Sequence, residues 1–288
     1  MTSPATPPDP LVLGEYFIHT AWEGFASIVH RASGEIMHAR TEPMEEARSV
    51  YVEQAELASR LRSPGAPLVL WDVGLGAAAN AMAAIHCYEE CGATRPMRIV
   101  SFENDIDSLR LAFSHEAKFP YLCHAGPAAI LGSGRWQSGQ LSWELVPGDF
   151  VETMAHAPGP PEVIFYDMFS PKTCGGAWMC ATFRQLFARC GDGSTALCTY
   201  TLATSSRAAM LAAGFWLARG RAAGAKPETT IALTPSAVTP EHTLLGGEWL
   251  AKWERSQAKF PADHLPDDNA TFEQLIRGHP QFAPERAR

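Results

Sequence analysis

Four short segments gather residue types that can do chemistry at the ends of apolar runs. In Asp72-Val73-Gly74-Leu75-Gly76 two glycines follow one such run and precede an alanine-rich stretch. A side chain at either glycine would block close approach of a ligand to the backbone. The freed amides, with the N-terminus of the helix behind them, attract an anion. Asp72, Gly74, Gly76 and Asn80 are therefore the candidate residues of a cofactor loop. Glu103 closes the next apolar run, where a carboxylate can accept hydrogen bonds from both hydroxyls of a ribose. Asp105 and Asp107 compete with it, or simply begin the following helix. The 27 residues from Gly76 to Glu103 exceed the about 20 of the usual dinucleotide fingerprint. Pro147-Gly148-Asp149-Phe150 follows a third run. There Asp149 can accept from an adenine amino group and Phe150 can pack on its ring, or Asp149 is only the N-cap of a strand-to-helix turn. The richest segment is Phe165-Tyr166-Asp167-Met168-Phe169-Ser170-Pro171-Lys172. Asp167 can orient an amine or take its proton, with Tyr166 as a helper, or it can merely cap the next helix.

The elements that must position these groups follow from hydrophobic patterning. Continuous apolar runs at 68–73, 98–103, 141–146, 163–167 and 195–200 are the mark of strands buried on both faces of a parallel sheet. Helical patterns at 77–87, 106–116, 178–189 and 205–213 alternate with them, which predicts βαβ units. Runs at 215–218 and 229–233 are joined by a loop too short for a crossover helix, so they form an antiparallel hairpin. The fold class is thus α/β, a mostly parallel seven-stranded sheet with a terminal antiparallel hairpin. That reversed end is the arrangement of Rossmann-like class I methyltransferases dependent on S-adenosylmethionine, and ordinary NAD dehydrogenases lack it. Upstream, 25–30 and 35–40 flank Ala32-Ser33-Gly34 as a hairpin, and 45–61 has the spacing of an amphipathic helix behind Pro43. Downstream, Trp249, Leu250 and Trp253 share one face of a helix at 247–259. The organisation expected is an N-terminal extension at 1–62, a methyltransferase domain at 63–235 and a C-terminal helical extension at 236–288.

With 288 residues, 46% hydrophobic and 19% charged, the chain can bury a full core. No apolar run reaches the ~18 residues of a membrane span, and the Pro- and Thr-rich start at 1–10 reads as a loose tail and does not resemble a signal peptide. Seven cysteines without a CxxC pair read as reduced thiols, so a cytoplasmic location is expected. His86-Cys87 and Cys123-His124 lack the spacing of a zinc site, and no metal is expected. A net charge of −8 argues against a protein that coats nucleic acid. Arg184, Arg189, Arg207, Arg219, Arg221 and Lys226, with Asp192 among them, form either a local basic face or a set of solvated helix charges.

Taken together, the 71–80 turn, Ser101-Phe102-Glu103, the 165–172 segment with Trp178 after it, and Gly214-Phe215 leading to Gly224-Ala225-Lys226-Pro227-Glu228 resemble the MnmC-like methyltransferases. The segment from Met44 to Val52 is similar to that family's entry segment, and the resemblance covers about residues 40–235. It implies N-methylation of the aminomethyl group on the wobble uridine of tRNA, 5-aminomethyl-2-thiouridine becoming 5-methylaminomethyl-2-thiouridine. The implied cofactor is S-adenosylmethionine and the implied partner the tRNA anticodon loop. Gly74, Gly76 and Asn80 would line the cofactor loop, Glu103 would hold the ribose and Asp167 would be the site acid. Tyr166, Phe169, Lys172, Trp178 and Lys226 would face the substrate. The chain departs from the family at Ala78, where a third glycine is usual, and at Thr173-Cys174-Gly175-Gly176, where an Asn-Pro-Asp stretch is usual. The oxidoreductase domain fused to some members has no counterpart here, so a stand-alone version is expected. Methylation of a small metabolite and a non-catalytic cofactor- or RNA-binding module are the alternatives.

Overall fold

The structure, a computed structural model, describes residues 11–38, 41–224 and 226–283. The expected tail at 1–10 and the end of the expected strand at 35–40 lie outside the described residues, as does Ala225. Three strands near the start, β1 (Val12–Leu13), β2 (Tyr16–Thr20) and β3 (Ala26–His30), form a small antiparallel sheet. The main sheet is built from β4 (Leu68–Val73), β5 (Met97–Glu103), β6 (Arg135–Ser138), β7 (Leu141–Pro147), β8 (Val163–Tyr166), β9 (Ala196–Thr199), β10 (Trp216–Arg219) and β11 (Thr230–Leu233). Its order is β10-β11-β9-β8-β4-β5-β7-β6. The seven expected strands are all present, and β6 adds an eighth by pairing antiparallel with β7 at the sheet edge. From β9 to β7 the pairings are parallel, and β11 lies antiparallel to both β9 and β10. The terminal reversal is therefore as its short connection requires.

Alternation along the central strands feeds two cores. Leu68, Leu70, Ile99, Val163 and Phe165 face the helix Ala79–Glu90 and the N-terminal elements. Trp71, Val73, Val100, Ile164 and Tyr166 face the helices Cys180–Cys190 and Thr204–Ala213. Trp249 and Trp253 of the helix Gly247–Arg255, with Phe272 and Ile276 of Asn269–Arg277, close this second core. The indole of Trp253 is fully buried yet satisfied, its Nε1 donating to the Lys259 carbonyl at 3.0 Å. Trp22, at the β2–β3 turn, is fully exposed and covers nothing. Among the described residues no helix is long and apolar enough to cross a membrane.

Two expectations near the N-terminus need correction. The turn at 32–34 forms, but its return leg makes a single bridge, Val29 to Ile36, and the main partner of β3 is the upstream β2. The alternation in Tyr16–Thr20 is masked by polar His19 and Thr20, so it was missed. The helix expected at 45–61 is broken into Pro43–Ala47, a π-helical turn Arg48–Glu53 and Leu57–Arg62, with Glu56 left-handed at φ 53°. An unbroken α-helix cannot turn three consecutive side chains inward, whereas the wider turn buries Val50, Tyr51 and Val52 together.

Candidate active site

A cleft of about 330 Å³ opens at the carboxyl ends of β4, β5 and β8, where the strand order reverses. Its floor is the loop after β4. Gly74 has φ +88°, and a Cβ there would sit 2.7 Å from the Asp167 carbonyl oxygen. Gly76 has φ +53°, and its Cβ would meet the Met37 thioether, Sδ at 3.2 Å and Cε at 3.6 Å. Ala78 stands where a third glycine was the family's habit, and it adopts φ +65° just before the helix Ala79–Glu90. The loop thus keeps the left-handed path without the third glycine.

Glu103 lines the cleft from the end of β5. Its carboxylate accepts from the amides of Gly76 at 3.0 Å, Asn104 at 2.9 Å and Asp105 at 3.0 Å, which ties the two loops together. Burial nevertheless holds its pKa above the usual carboxylate range against those bonds. Asp107 carries the first turn of the helix Asp107–Phe113 and pairs with Arg110, so its structural role is plain. Asp149 both caps the helix Phe150–Thr153, accepting from Val151 N at 2.7 Å, and lines the cleft beside Phe150.

Asp167 lies at the exit of β8, its Oδ2 accepting from Asn80 Nδ2 at 2.8 Å. Burial raises its pKa, His38 and the Tyr51 hydroxyl pull it back, and Glu46 adds to the push. Phe169 also lines the cleft and continues a row of tilted ring contacts with His30 and Tyr16, centroids 5.4 and 5.6 Å apart. Glu35 pins this loop, accepting from Ser170 N at 2.9 Å, from the Ser170 hydroxyl and from Thr173 Oγ1 at 2.6 Å. Those donors hold Glu35 below its ordinary pKa in spite of partial burial.

Other expected site residues stand behind the cleft or away from it. Tyr166 is fully buried and donates to the Ala177 carbonyl, and Trp178 Nε1 donates to Phe169 O at 2.7 Å, so both brace the loop. Lys172 is exposed. Lys226 donates to Tyr200 O at 3.0 Å with its ammonium 4.0 Å from the Tyr200 ring centre, and burial lowers its pKa. Asp72 lies beneath the loop, fully buried, accepting from Ser101 Oγ at 2.6 Å while Trp143 Nε1 donates to that same oxygen at 2.8 Å.

Burial is the chief reason that the Asp72 carboxyl is pushed up to about 7, with Ser101 opposing and Asp167 and Glu103 adding. An acid whose pKa is higher folded than unfolded stabilises the fold while protonated. That contribution is complete below the ordinary carboxylate range and drains away as pH climbs through 7. Urea unfolding should therefore show on the order of 2 kcal/mol less stability at about pH 8.5 than at about pH 5, and Asp72→Asn should flatten the difference. An equal loss in the variant would clear Asp72 of the effect.

The basic face does not assemble. Arg207 is buried against Glu228 at 3.0 Å, Arg219 is held by Glu228 and Glu248, and Arg221 pairs with Glu53 at 2.8 Å. Arg189 donates to Ala157 O at 2.7 Å. Arg184 is exposed. The neutralising acids lie outside the 184–226 window, which is why the local charge count misled. Among the described residues no lysine or arginine lines the cleft, whereas Glu15, Glu35, Glu103, Asp105, Asp149 and Asp167 do. Sequence reasoning also passed over Tyr16, His30, Glu35, His38 and Tyr200 as lining residues. Glu46 and Tyr51 sat in a segment already singled out, but nothing in its spacing assigned them a role.

Known proteins agree with this architecture. Residues 120–235 match a family described as S-adenosyl-L-methionine-dependent methyltransferase. The tRNA 5-methylaminomethyl-2-thiouridine biosynthesis bifunctional protein MnmC of Ectopseudomonas mendocina is 26% identical over 72% of this chain and 33% of its own. Over most of its length the chain is similar to MnmC-like methyltransferases. The protein of the same description from Aeromonas hydrophila is 24% identical over 80% of this chain and 37% of its own. The chain thus spans about a third of the length of these curated relatives. The crystal structure of MnmC2 from Aquifex aeolicus shares the fold, with a TM-score of 0.70 at 19% identity over 91% of this chain and 83% of that one. A probable spermidine synthase from Corynebacterium glutamicum shares it more loosely, with a TM-score of 0.50 at 15% identity over 87% of this chain and 93% of that one.

Proposed function

We propose that this domain methylates a primary amine with S-adenosylmethionine, the amine being the aminomethyl group of a wobble uridine in tRNA. The observation that carries the reading is the charge of the cleft. Its fixed acids face a cavity that no lysine or arginine among the described residues enters, and both an ammonium group and a sulfonium are cations. The MnmC-like relatives supply the tRNA nucleoside as the acceptor. The residues fit the cofactor, because Gly74 and Gly76 carry the left-handed loop along the cleft without side chains, Gly74 packed on the Asp167 backbone, and Glu103 offers a carboxylate at the second strand's end. Gly74, Gly76 and Glu103 would hold it, with Asp149 and Phe150 at the adenine side. When bound it supplies an electrophilic methyl group.

The chain's own residues do the rest. Asp167, oriented by Asn80, holds the acceptor nitrogen in line, and such positioning is worth several kcal/mol. The Glu35 anchor on Ser170 and Thr173 keeps that loop and the N-terminal elements closed over the cleft. Asp167→Asn should lower kcat about tenfold to a hundredfold while leaving the affinity for S-adenosylhomocysteine within about threefold of the wild type. A matching loss of affinity would place Asp167 in cofactor binding instead.

A second reading is methylation of a small cationic amine. The ion-paired arginines favour it, since Arg207, Arg219 and Arg221 are held by acids and not free for phosphates. Labelled methyl transfer to tRNA bearing 5-aminomethyluridine, run beside small primary amines, decides between the two. Label in the wobble nucleoside supports the first; label only in the small amines overturns it.

A further inference from the structure

We propose that His38, backed by Glu46, takes the proton from the acceptor's ammonium nitrogen, leaving Asp167 to hold that nitrogen. The inference rests on the amine-methylation reading above and adds to it the group that makes the amine reactive. A free alkylammonium has a pKa around ~10 and carries no lone pair to attack with. A carboxylate beside it favours the charged form, so Asp167 alone works against activation. The proton needs an acceptor whose affinity lies nearer the working pH.

His38 has the placement. Its backbone amide donates to Ser27 Oγ at 3.1 Å, which fixes the chain where it leaves the hairpin. Its side chain is 8% exposed and lines the same cleft as Asp167 and Asn80. Nδ1 lies 3.5 Å from Glu46 Oε1, on the helix Pro43–Ala47, and Nδ1 is buried with no full hydrogen bond of its own. With Nδ1 turned to Glu46, Nε2 is the nitrogen left for the cleft. Glu46 is thus the positioning residue, setting the ring's tautomer and orientation.

The surrounding charges suit the task. Burial by itself would lower the pKa of His38, but Glu46 beside it, then Asp167 from the exit of β8 and Glu42 before the helix, hold it above the ordinary imidazole range. Lys226 faces Glu46 and Asp167 from the loop before β11, and the hydroxyls of Tyr51 and Tyr200 face the same acids. In the step itself an N–H bond of the ammonium breaks, its proton bonds to Nε2, and the electron pair stays on nitrogen for the new N–C bond. The imidazolium then donates Nδ1–H to Glu46 and later releases the Nε2 proton to solvent.

The test is the pH dependence of methyl transfer by the wild type, His38→Gln and Glu46→Gln, on aminomethyl tRNA and on a small primary amine. His38 is also titrated by NMR without any methyl donor. The wild-type kcat/KM should rise with pH through the His38 pKa and level off. His38→Gln should fall about a hundredfold near pH 7, yet keep climbing toward pH ~10, where the amine sheds its own proton, so that the gap narrows. Glu46→Gln should move both the rate limb and the His38 titration to lower pH. Retained S-adenosylhomocysteine binding checks that each variant folds. If tRNA stays unlabelled while the small amine shows this pattern, the tRNA reading falls and the dyad stands. Parallel profiles for wild type and His38→Gln on either acceptor, or a His38 titration that Glu46→Gln leaves in place, overturn the dyad.

Discussion

Gly74→Ala should weaken S-adenosylhomocysteine binding by at least about a hundredfold and destabilise the fold by about 2–4 kcal/mol. Two costs combine at this position. The backbone sits at φ +88°, where an L side chain is strained, and the added Cβ would lie 2.7 Å from the Asp167 carbonyl oxygen and 3.1 Å from its carbon. That neighbour is backbone, so it cannot rotate away; it must shift, and it carries the Asp167 side chain with it. Gly76 differs. Its Cβ would meet the Met37 thioether at 3.2 Å, a flexible group that can yield, so Gly76→Ala should cost less on both measurements. Calorimetry and urea unfolding on the two variants check the ranking. Wild-type affinity in Gly74→Ala would show that the loop does not shape the cofactor site.

Two glycines in a strand-to-helix turn look equivalent in a sequence, and only tertiary contacts rank them. The same limit explains what was legible and what was not. The runs at 68–73, 98–103 and 163–167 are strands because apolar residues fill both faces, and burial on both faces belongs to the strand itself. Residues at the ends of those strands, Gly74, Glu103, Asp149 and Asp167, could therefore be placed at one end of the sheet, and the cleft gathers them there. The other wall comes from elements remote in sequence. Tyr16 belongs to a strand whose polar residues hide its alternation, His30 ends a strand that was legible without its role being so, and His38 follows a return leg held by a single bridge. Tyr51 reaches inward because the chain widens into a π-helical turn, which no 3.6-residue periodicity announces, and Glu46 lies on the short helix Pro43–Ala47 just before it. Tyr166 and Trp178 show the converse. Their neighbourhood was right, but their polar atoms are spent on Ala177 and Phe169 and neither lines the cleft, so they shape the loop.

Arg207→Ala should destabilise the protein by about 3–5 kcal/mol, the range for removing one partner of a buried ion pair. Read along the chain, Arg207 looked like one cation of a phosphate-binding face. In the structure it is 3% exposed and spends its guanidinium on three partners. Nε donates to Thr230 Oγ1 at 2.9 Å, Nη1 to Glu228 Oε1 at 3.0 Å and Nη2 to Thr229 O at 3.0 Å. It therefore fastens the helix Thr204–Ala213 to the start of β11, the strand whose reversal closes the sheet. Truncation would strip half of the Glu228 carboxylate of its partner and leave the Thr229 carbonyl with only the Gly220 amide, at 3.1 Å, beside a void. Arg219 shares Glu228 but is far more exposed, 36% against 3% for the two side chains, so Arg219→Ala should cost less than about 1 kcal/mol. Urea unfolding of both variants measures the difference. A buried guanidinium cannot reach a phosphate, so tRNA affinity of folded Arg207→Ala should match that of the wild type at equal salt. Equal stability losses in the two variants, or a selective loss of tRNA binding in Arg207→Ala, would return Arg207 to the substrate face.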